Sequence, residues 1–249
     1  MNIPVIGTAV VSSAYWVTRL LMSIDYPVDQ FIIINNNGRG ELDDDLALLT
    51  KIPHKYVQSV KLVNLPGNIG CSGAWNLIIK STLTAPYWLI VNDGVAFKPG
   101  LLKEMNDAMT ADPEVGLVHP SGGDFDLGAW DLFMIRDTVI DSHGLFDENC
   151  YPVFCEDSDY IMRLAVSPVK KIVGLTHGYI HGTGDSTEYY EHGSQSQKEL
   201  PHIEPVFERS NLLNIDYLTE KWGESWRWVS PNPVPFANQT HQISDTRYK

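Results

Sequence analysis

Short apolar runs alternate with helical patterns through the first half of the chain. Five runs have the length of buried strands: Ile3–Val11, Phe31–Ile34, Lys61–Leu65, Tyr87–Val91 and Val115–Val118. Between them, apolar residues recur at helical spacing, as in Val17, Leu20, Leu21 and Ile24. Four consecutive strand-helix units predict an α/β fold with a mostly parallel central sheet and helices on both faces.

The second half has a more mixed pattern. It predicts a strand at Leu132–Ile135, a helix starting near Glu156 and a helix over Val206–Trp222. The stretch Gly178–Tyr190 is rich in Gly, Thr and Ser and is predicted to be a mobile loop. In the first half, Ser72 is predicted to cap the helix that follows the third strand.

The composition fits one large globular domain with an appendage. The chain has 249 residues, of which 43% are hydrophobic, and about 150 residues per domain gives fewer than two domains. Lys and Arg number 18 and Asp and Glu number 31, so the net charge is −13. This acidity disfavours nucleic acid and anionic membranes as partners.

Cysteine content and hydropathy predict a reducing, cytoplasmic location. Cys71, Cys150 and Cys155 include no C-x-x-C pair and are too few for a disulfide framework. No stretch of 18 residues is apolar enough to be a transmembrane segment. The first 18 residues carry no charge, but they lack the basic start of a signal peptide and contain Pro4 and Gly7. We expect them to form a strand and the beginning of a helix.

Small polar loops follow three predicted strands. They read Asn35-Asn36-Asn37, Asn68-Ile69-Gly70 and Asn92-Asp93-Gly94. Ligands of open parallel sheets bind at the carboxyl ends of the strands, so these loops predict a nucleotide site there. The first strand ends Gly7-Thr8-Ala9-Val10, without G-x-G-x-x-G, and no P-loop motif is present. Asparagine is also a common turn former, which leaves a purely structural role open.

The segment GLFDENCYPVFCEDSDYIMRL, residues 144–164, contains the best candidate for a catalytic group. Asp157 stands at helical spacing from Ile161 and Leu164, which predicts a carboxylate that faces inward at a helix N-terminus. The helix dipole favours the ionised form there, as a general base requires. Acidic residues at this position also stabilise helices without any catalytic role, so both interpretations stay open.

The same segment resembles the E-D-x-D…R-L box of glycosyltransferase family 2, especially its rhamnosyltransferase-like members, where G-x-F-D-E precedes it. Four further stretches resemble family motifs in the right order: the base-holding strand and turn at 31–38, the N-x-G…N box at 68–76, the D-x-D strand YWLIVNDGVAFKPG and the late segment YIHGTGDST with His181. YLTEKWG at 217–223 is similar to a K-W-G box of some members. The resemblance covers residues 3–223.

The resemblance implies a GT-A fold, a Rossmann-like sandwich, in a single domain over residues 1–223. A nucleotide-sugar half would cover about residues 1–118 and an acceptor half about 119–223, followed by a Trp- and Pro-rich tail over 224–249. The implied activity is inverting transfer of a hexose or deoxyhexose from a nucleotide-sugar to an acceptor hydroxyl. By family position, Asp157 would be the general base.

The resemblance also implies partners and contacts. The donor would be UDP-, dTDP- or GDP-linked, and the acceptor a glycan, a lipid-linked molecule or a protein. Trp130, Asp131 and Glu156 would contact the acceptor. The donor would contact Thr8, Ala9, Asn35, Asn36, Asn68, Gly70, Asn76, Asn92 and Asp93.

The sequence departs from the family at the metal site. The family implies Mn²⁺ or Mg²⁺ to stabilise the leaving diphosphate. The two D-x-D aspartates align with Asn92 and Gly94, which leaves Asp93, and His181 is a second candidate ligand. Asn35 replaces the aspartate that reads the base. Because an amide donates as well as accepts, the preferred base can differ from the family's usual uracil or thymine.

Two other functions were compared with a transferase. A sugar nucleotidyltransferase needs a basic loop after the first strand, but Thr8 to Tyr15 carries no positive charge. A non-catalytic sugar- or protein-binding module on a decayed transferase fold is the alternative. The eroded D-x-D motif supports that module, and the retained Asp157 counts against it. Metal-dependent hydrolysis of a free nucleotide-sugar would separate this module from an enzyme.

Overall fold

The computed structural model describes residues 1–120, 130–182, 184–185, 204–228 and 230–237. The first half contains β1 (Ile3–Val10), α1 (Ala14–Met22), β2 (Val28–Asn35), α2 (Asp43–Leu49), β3 (Val57–Asn64), α3 (Gly70–Lys80), β4 (Tyr87–Val91), β5 (Val95–Phe97), α4 (Leu101–Ala111) and β6 (Val115–His119). The second half contains β7 (Leu132–Arg136), α5 (Asp137–His143), α6 (Glu156–Val166), β8 (Lys171–Gly174), β9 (Tyr179–His181), β10 (Gly184–Asp185), α7 (Glu204–Trp222) and a 3₁₀ turn (Glu224–Trp228).

The central sheet has seven strands in the order β3-β2-β1-β4-β7-β6-β8. Neighbouring strands are parallel except at β7, which is antiparallel to both β4 and β6. This mixed, mostly parallel sheet confirms the predicted α/β class.

Helices cover both faces of this sheet, as predicted. Along β4, Tyr87, Leu89 and Val91 belong to one buried cluster, and Trp88 and Ile90 belong to the other. The first cluster includes residues of α1, α2 and α4, and the second includes residues of α3, α5, α6 and α7. The buried strands therefore form one apolar layer between two cores.

Two local predictions are wrong. Ser72 does not cap a helix, because α3 begins at Gly70 with Ile69 at the cap position, and Ser72 is buried inside it. The stretch Gly178–Tyr190 is not entirely a loop, because β9 pairs with both β5 and β10 in a small three-stranded sheet. Residues 183 and 186–190 of that stretch lie outside the described residues, as do residues 229 and 238–249 of the predicted Trp- and Pro-rich tail.

No helix in the described part of the chain is long and apolar enough to cross a membrane.

Candidate functional site

The reversed direction of β7 brings the two halves of the chain together at one edge of the sheet. Val91, the last residue of β4, pairs with Leu132, the first residue of β7. The residues just beyond this pair are hydrogen-bonded, because the Asn92 backbone N–H donates to the Asp131 carbonyl over 2.8 Å. The Asn92 side-chain amide also donates to Asp131 Oδ1 over 2.9 Å. Asn92, from the eroded D-x-D motif, is therefore bound to Asp131 of the second half.

The small sheet adds His181 to the same place. Pairing of β5 with β9 sets Val95 opposite His181. The His181 ring contacts Asp131 through Nδ1, 2.9 Å from Oδ2. Arg19 stabilises this arrangement from α1, since its guanidinium donates to the backbone carbonyls of Gly94 and Gly182. Asn92, Asp131 and His181 thus form one contiguous polar group.

A second acidic group lies at the N-terminus of α6. Glu156 is only 6% exposed. The Cys71 thiol of α3 hydrogen-bonds to its carboxylate, but Glu156 Oε2 has no hydrogen-bond partner. Burial, and then the charge on Asp157, raise the pKa of Glu156 to about 8. Glu156 is therefore a neutral carboxylic acid at pH 7.

Asp157 is less deeply buried than the other two acidic residues of this turn, Glu156 and Asp159. Its side chain is partly exposed, whereas Glu156 and Asp159 are buried. Burial raises the pKa of Asp157, hydrogen bonds from Ser158 oppose that rise, and the charge of Asp131 adds to it. Asp157 Oδ1 accepts from the Ser158 backbone N–H over 2.6 Å. The Asp157 carboxylate, which was predicted to face inward, thus lies at the rim of the core and is partly accessible to solvent.

The predicted asparagines after β2 make contacts within the protein. Asn35 is buried, and its amide donates to Asp43 Oδ1 over 2.7 Å and to Asn64 Oδ1 over 3.1 Å. Asn36 is also buried, and its Oδ1 accepts from the Ile69 N–H over 2.8 Å. These bonds fix the loops after β2 and β3 against each other. A contact of either residue with the nucleotide stays a prediction.

The asparagines of the 68–76 box have similar positions. Asn68 Oδ1 accepts from the Gly70 N–H over 2.8 Å in a turn that starts α3. Asn76 is buried on α3; its side chain exchanges two hydrogen bonds of 2.9 Å with the Phe146 backbone and donates to Glu148 over 2.8 Å. Asn76 therefore connects α3 to the segment that leads to Glu156.

The remaining predicted site residues divide between the edge and the core. Thr8 is fully buried within β1 and Ala9 is half-buried beside it. Trp130 is buried in an aromatic cluster, with ring centroids 4.7 Å from Phe133 and 5.7 Å from Tyr160. These contacts give Trp130 a packing role in the core. Its contact with an acceptor, like the donor contacts of Thr8 and Ala9, stays a prediction.

The side chains at this edge do not provide enough ligands for the protein alone to bind a cation. The Asn92 amide is committed to Asp131, Gly94 has no side chain, and only Asp93 remains of the D-x-D motif. Within the described ranges, no three His, Cys, Asp or Glu residues form a group suited to a metal ion. A bound diphosphate would have to supply most ligands of any cation there.

Cys71 and Lys221 were not predicted as site residues. Lys221 is 7% exposed, and its ammonium lies 2.5 Å from Asp147 Oδ2 and 2.7 Å from Asp159 Oδ1. Although burial opposes ionisation, hydrogen bonds from Lys221 and Tyr217 hold the pKa of Asp147 below its ordinary value. The YLTEKWG motif could have signalled this contact, because Lys221 was part of the resemblance. Cys71 had no signal in the sequence.

Comparison with known proteins identifies the fold. No protein-family model and no curated protein matches the chain. Among solved structures, it is similar to the mannosyltransferase PcManGT from Pyrobaculum calidifontis in complex with GDP-Man and Mn²⁺, at a TM-score of 0.56 and 15% identity over 70% of this chain and 55% of that one. It is also similar to S. aureus TarS 1-349 in complex with UDP-GlcNAc, at a TM-score of 0.55 and 14% identity over 77% and 62% of the two chains.

The architecture is therefore that of the GT-A glycosyltransferases, with a mostly parallel seven-stranded sheet between layers of helices. At this level of identity the similarity establishes the fold alone. The chain spans 55% to 65% of the length of the first structures it matches.

Proposed function

We propose that this chain is an inverting glycosyltransferase that moves a sugar from a nucleotide-sugar to an acceptor hydroxyl, with Asp157 as the general base. The observation that carries the proposal is the pair Glu156-Asp157 at the N-terminus of α6, beside Asp131 and the loop after β4, in a GT-A fold. Ligands of parallel sheets bind at this edge, so a donor there lies next to the proposed base.

The two carboxyl groups of the pair differ in exposure, which suits different roles. Glu156 holds its proton up to about pH 8, so its carboxyl can donate a hydrogen bond at pH 7. Asp157 is more exposed and is the better candidate to accept the acceptor's hydroxyl proton. Its raised pKa brings it closer to the working pH, which makes a general base more effective.

Binding of a nucleotide-sugar donor is supported by the neighbours. PcManGT was solved with GDP-Man and TarS with UDP-GlcNAc. We extend nucleotide-sugar binding to this chain, with UDP-, dTDP- or GDP-linked donors as the class. The donor would contact the loops at Asn35, Asn68 and Asn92. No step of the proposed reaction is assigned to a cation.

A thermal-shift screen tests donor binding first. UDP, dTDP, GDP and CMP are each added with and without Mn²⁺. A ligand at one hundred times its dissociation constant adds about 2.7 kcal/mol, which is a shift of several degrees for a chain of this size. A shift with one base identifies the nucleotide, and its growth with Mn²⁺ would establish a cation with Asp93 and His181 as candidate ligands. The absence of any shift would contradict the transferase.

Substitution of the base tests the chemistry. Asp157→Asn should lower turnover of the donor by about 10²–10⁴-fold, because the amide cannot accept the proton. Nucleotide binding in the thermal-shift assay should stay as in the unchanged protein. Asp141→Asn, at an exposed position of α5, is the control and should turn over normally. Full activity of Asp157→Asn would show that another group is the base.

The alternative function is a non-catalytic sugar- or protein-binding module. The bond between Asn92 and Asp131 favours it, because an amide occupies the place of a metal-binding carboxylate. Such a module would hydrolyse none of GDP-Man, UDP-GlcNAc and a dTDP-sugar, and the absence of any shift in the nucleotide screen would favour it. Slow hydrolysis of any of them by the unchanged protein, lost in Asp157→Asn, favours the enzyme.

A further inference from the structure

The turn that presents Glu156 and Asp157 has an unusual backbone. Phe154 and Cys155 have φ angles of 75° and 71°, in the left-handed region that residues with side chains seldom adopt. Cys155 is the residue directly before α6. Two consecutive residues in this region persist only when their surroundings hold them there. The direction in which α6 starts therefore depends on contacts outside the turn.

Asn214 of α7 supplies two of these contacts. Its Nδ2 donates to the Val153 carbonyl and to the Phe154 carbonyl, each over 2.9 Å. Asn214 is only 3% exposed, so water cannot readily replace it. On the opposite side, the Cys71 N–H of α3 donates to the Pro152 carbonyl over 2.7 Å. The turn is thus held between α3 and α7.

The end of α7 holds the flanks of the same segment. Lys221 contacts Asp147, before the turn, and Asp159, in the first turn of α6. Trp222 Nε1 donates to Asp159 Oδ1 over 2.8 Å. From Asn214 to Trp222, one face of α7 therefore contacts the segment before, within and after the left-handed turn. None of these α7 side chains was predicted as part of a site.

We propose that Asn214 is a positioning residue, which holds the left-handed turn at Phe154 and Cys155 so that Glu156 is buried against Cys71 and Asp157 stays at the rim. The inference rests on the proposed function only in treating Glu156 and Asp157 as the acceptor-facing pair. A merely structural role for Asn214 would lower the stability of the whole domain without a specific effect on this pair.

The experiment uses the full chain and needs no substrate. Amide hydrogen exchange and the titration of the Glu156 carboxyl, followed by ¹³C NMR, are compared in the unchanged protein, Asn214→Ala and Asn106→Ala. Asn106 is a matched control: it is 1% exposed, its Nδ2 donates to the Met1 carbonyl over 3.0 Å, and it lies on α4. Asn214→Ser, which keeps one donor, serves if Asn214→Ala does not fold.

Asn214→Ala should raise exchange at residues 153–158 by about tenfold, because the carbonyls of Val153 and Phe154 lose their donor. The pKa of Glu156 should fall from about 8 toward its ordinary value as the side chain gains access to water. Asn106→Ala should change neither, and Asn214→Ser should give a smaller change. Equal effects of Asn214→Ala and Asn106→Ala, or an unchanged Glu156 titration, would overturn the proposal.

The result is independent of the proposed function. If no nucleotide binds and no sugar is transferred, the exchange and titration results still decide whether Asn214 holds the turn. If the protein is a transferase, Asn214→Ala should lower kcat and leave KM for the donor unchanged, because the acceptor-facing pair is displaced while the donor loops are not. A higher KM for the donor with unchanged kcat would contradict the positioning role.

Discussion

At the residue scale, Glu156 carries a proton that an exposed glutamate would have lost at pH 7. Its folded-state pKa of about 8 lies above the ordinary value of 4.5, because the buried carboxylate form is unfavourable next to Asp157. Between these two values the folded chain binds a proton that the unfolded chain does not. This group's contribution to stability therefore falls as pH rises from about 4.5 to about 8.

Glu156→Gln should remove that pH dependence, because glutamine does not titrate. Relative to the unchanged protein, the variant should become more stable as pH rises from 5 to 8, as measured by urea unfolding at both values. Glu148→Gln is the control: its carboxyl has a lowered pKa, because of hydrogen bonds from Asn76 above all, and is ionised throughout this range. If the two variants respond alike to pH, Glu156 is not protonated in the folded state.

At the element scale, close packing of α3 on β1 sets where the N-terminus of α3 meets the sheet edge. A Cβ at Gly7 would lie 2.4 Å from Cγ2 of Ile78, which is closer than two such atoms can approach. The absent side chain lets the helix approach β1. This approach places Asn68, Gly70 and Cys71 at the carboxyl edge, facing the Glu156 segment.

Gly7→Val should destabilise the fold by about 1–3 kcal/mol, because the added methyl groups push α3 from the sheet. Combining it with Ile78→Ala should recover part of that loss, since the smaller side chain makes room. Thermal unfolding of the single and double variants measures this coupling. Gly67→Ala is the control, because a Cβ there has nothing within 4 Å. Strictly additive effects of the two substitutions would show that Gly7 and Ile78 do not limit the packing.

At the scale of the whole molecule, a buried ionic group within the proposed acceptor half joins α7 to α6 and to the segment before it. The Lys221 ammonium lies between Asp147 and Asp159, and Arg163 also contacts Asp159, over 2.5 Å. Removal of Lys221 would take away the cation that hydrogen-bonds to Asp147. Such uncompensated buried charges are costly, so loss of this contact should lower the stability of the folded chain.

Lys221→Met should lower the free energy of unfolding by about 3–5 kcal/mol at pH 7. The folded-state pKa of Asp147 is depressed, so its stabilising effect is present above its ordinary value of 3.8 and is lost as pH falls further. The deficit of the variant should therefore shrink below about pH 4. Lys80→Met removes an exposed pair with Glu148 and should cost about 0–1 kcal/mol. A deficit that does not change with pH would argue against the ionic origin.

The sequence by itself determined the class of fold and most of its elements, because strand and helix periodicity is local. Both ends of β4 at Tyr87–Val91 match the prediction, as does the start of α6 at Glu156. The helix expected from Val206 begins two residues earlier, at Glu204, and ends at Trp222 as expected. Local pattern also singled out Asp157, although its role as base stays a prediction.

Only the tertiary structure decided the contacts between distant segments, since no local pattern encodes which strands or side chains meet. The pairing of β5 with β9, whose partner residues are 82 to 86 positions apart, could not be predicted from the short apolar run after Asn92-Asp93-Gly94. The burial of Glu156 against Cys71, and the hold of Asn214 on the left-handed turn, depend on three helices that pack together. Protonation and backbone strain at the proposed site are thus properties of the folded chain, because desolvation and buried hydrogen bonds exist only there.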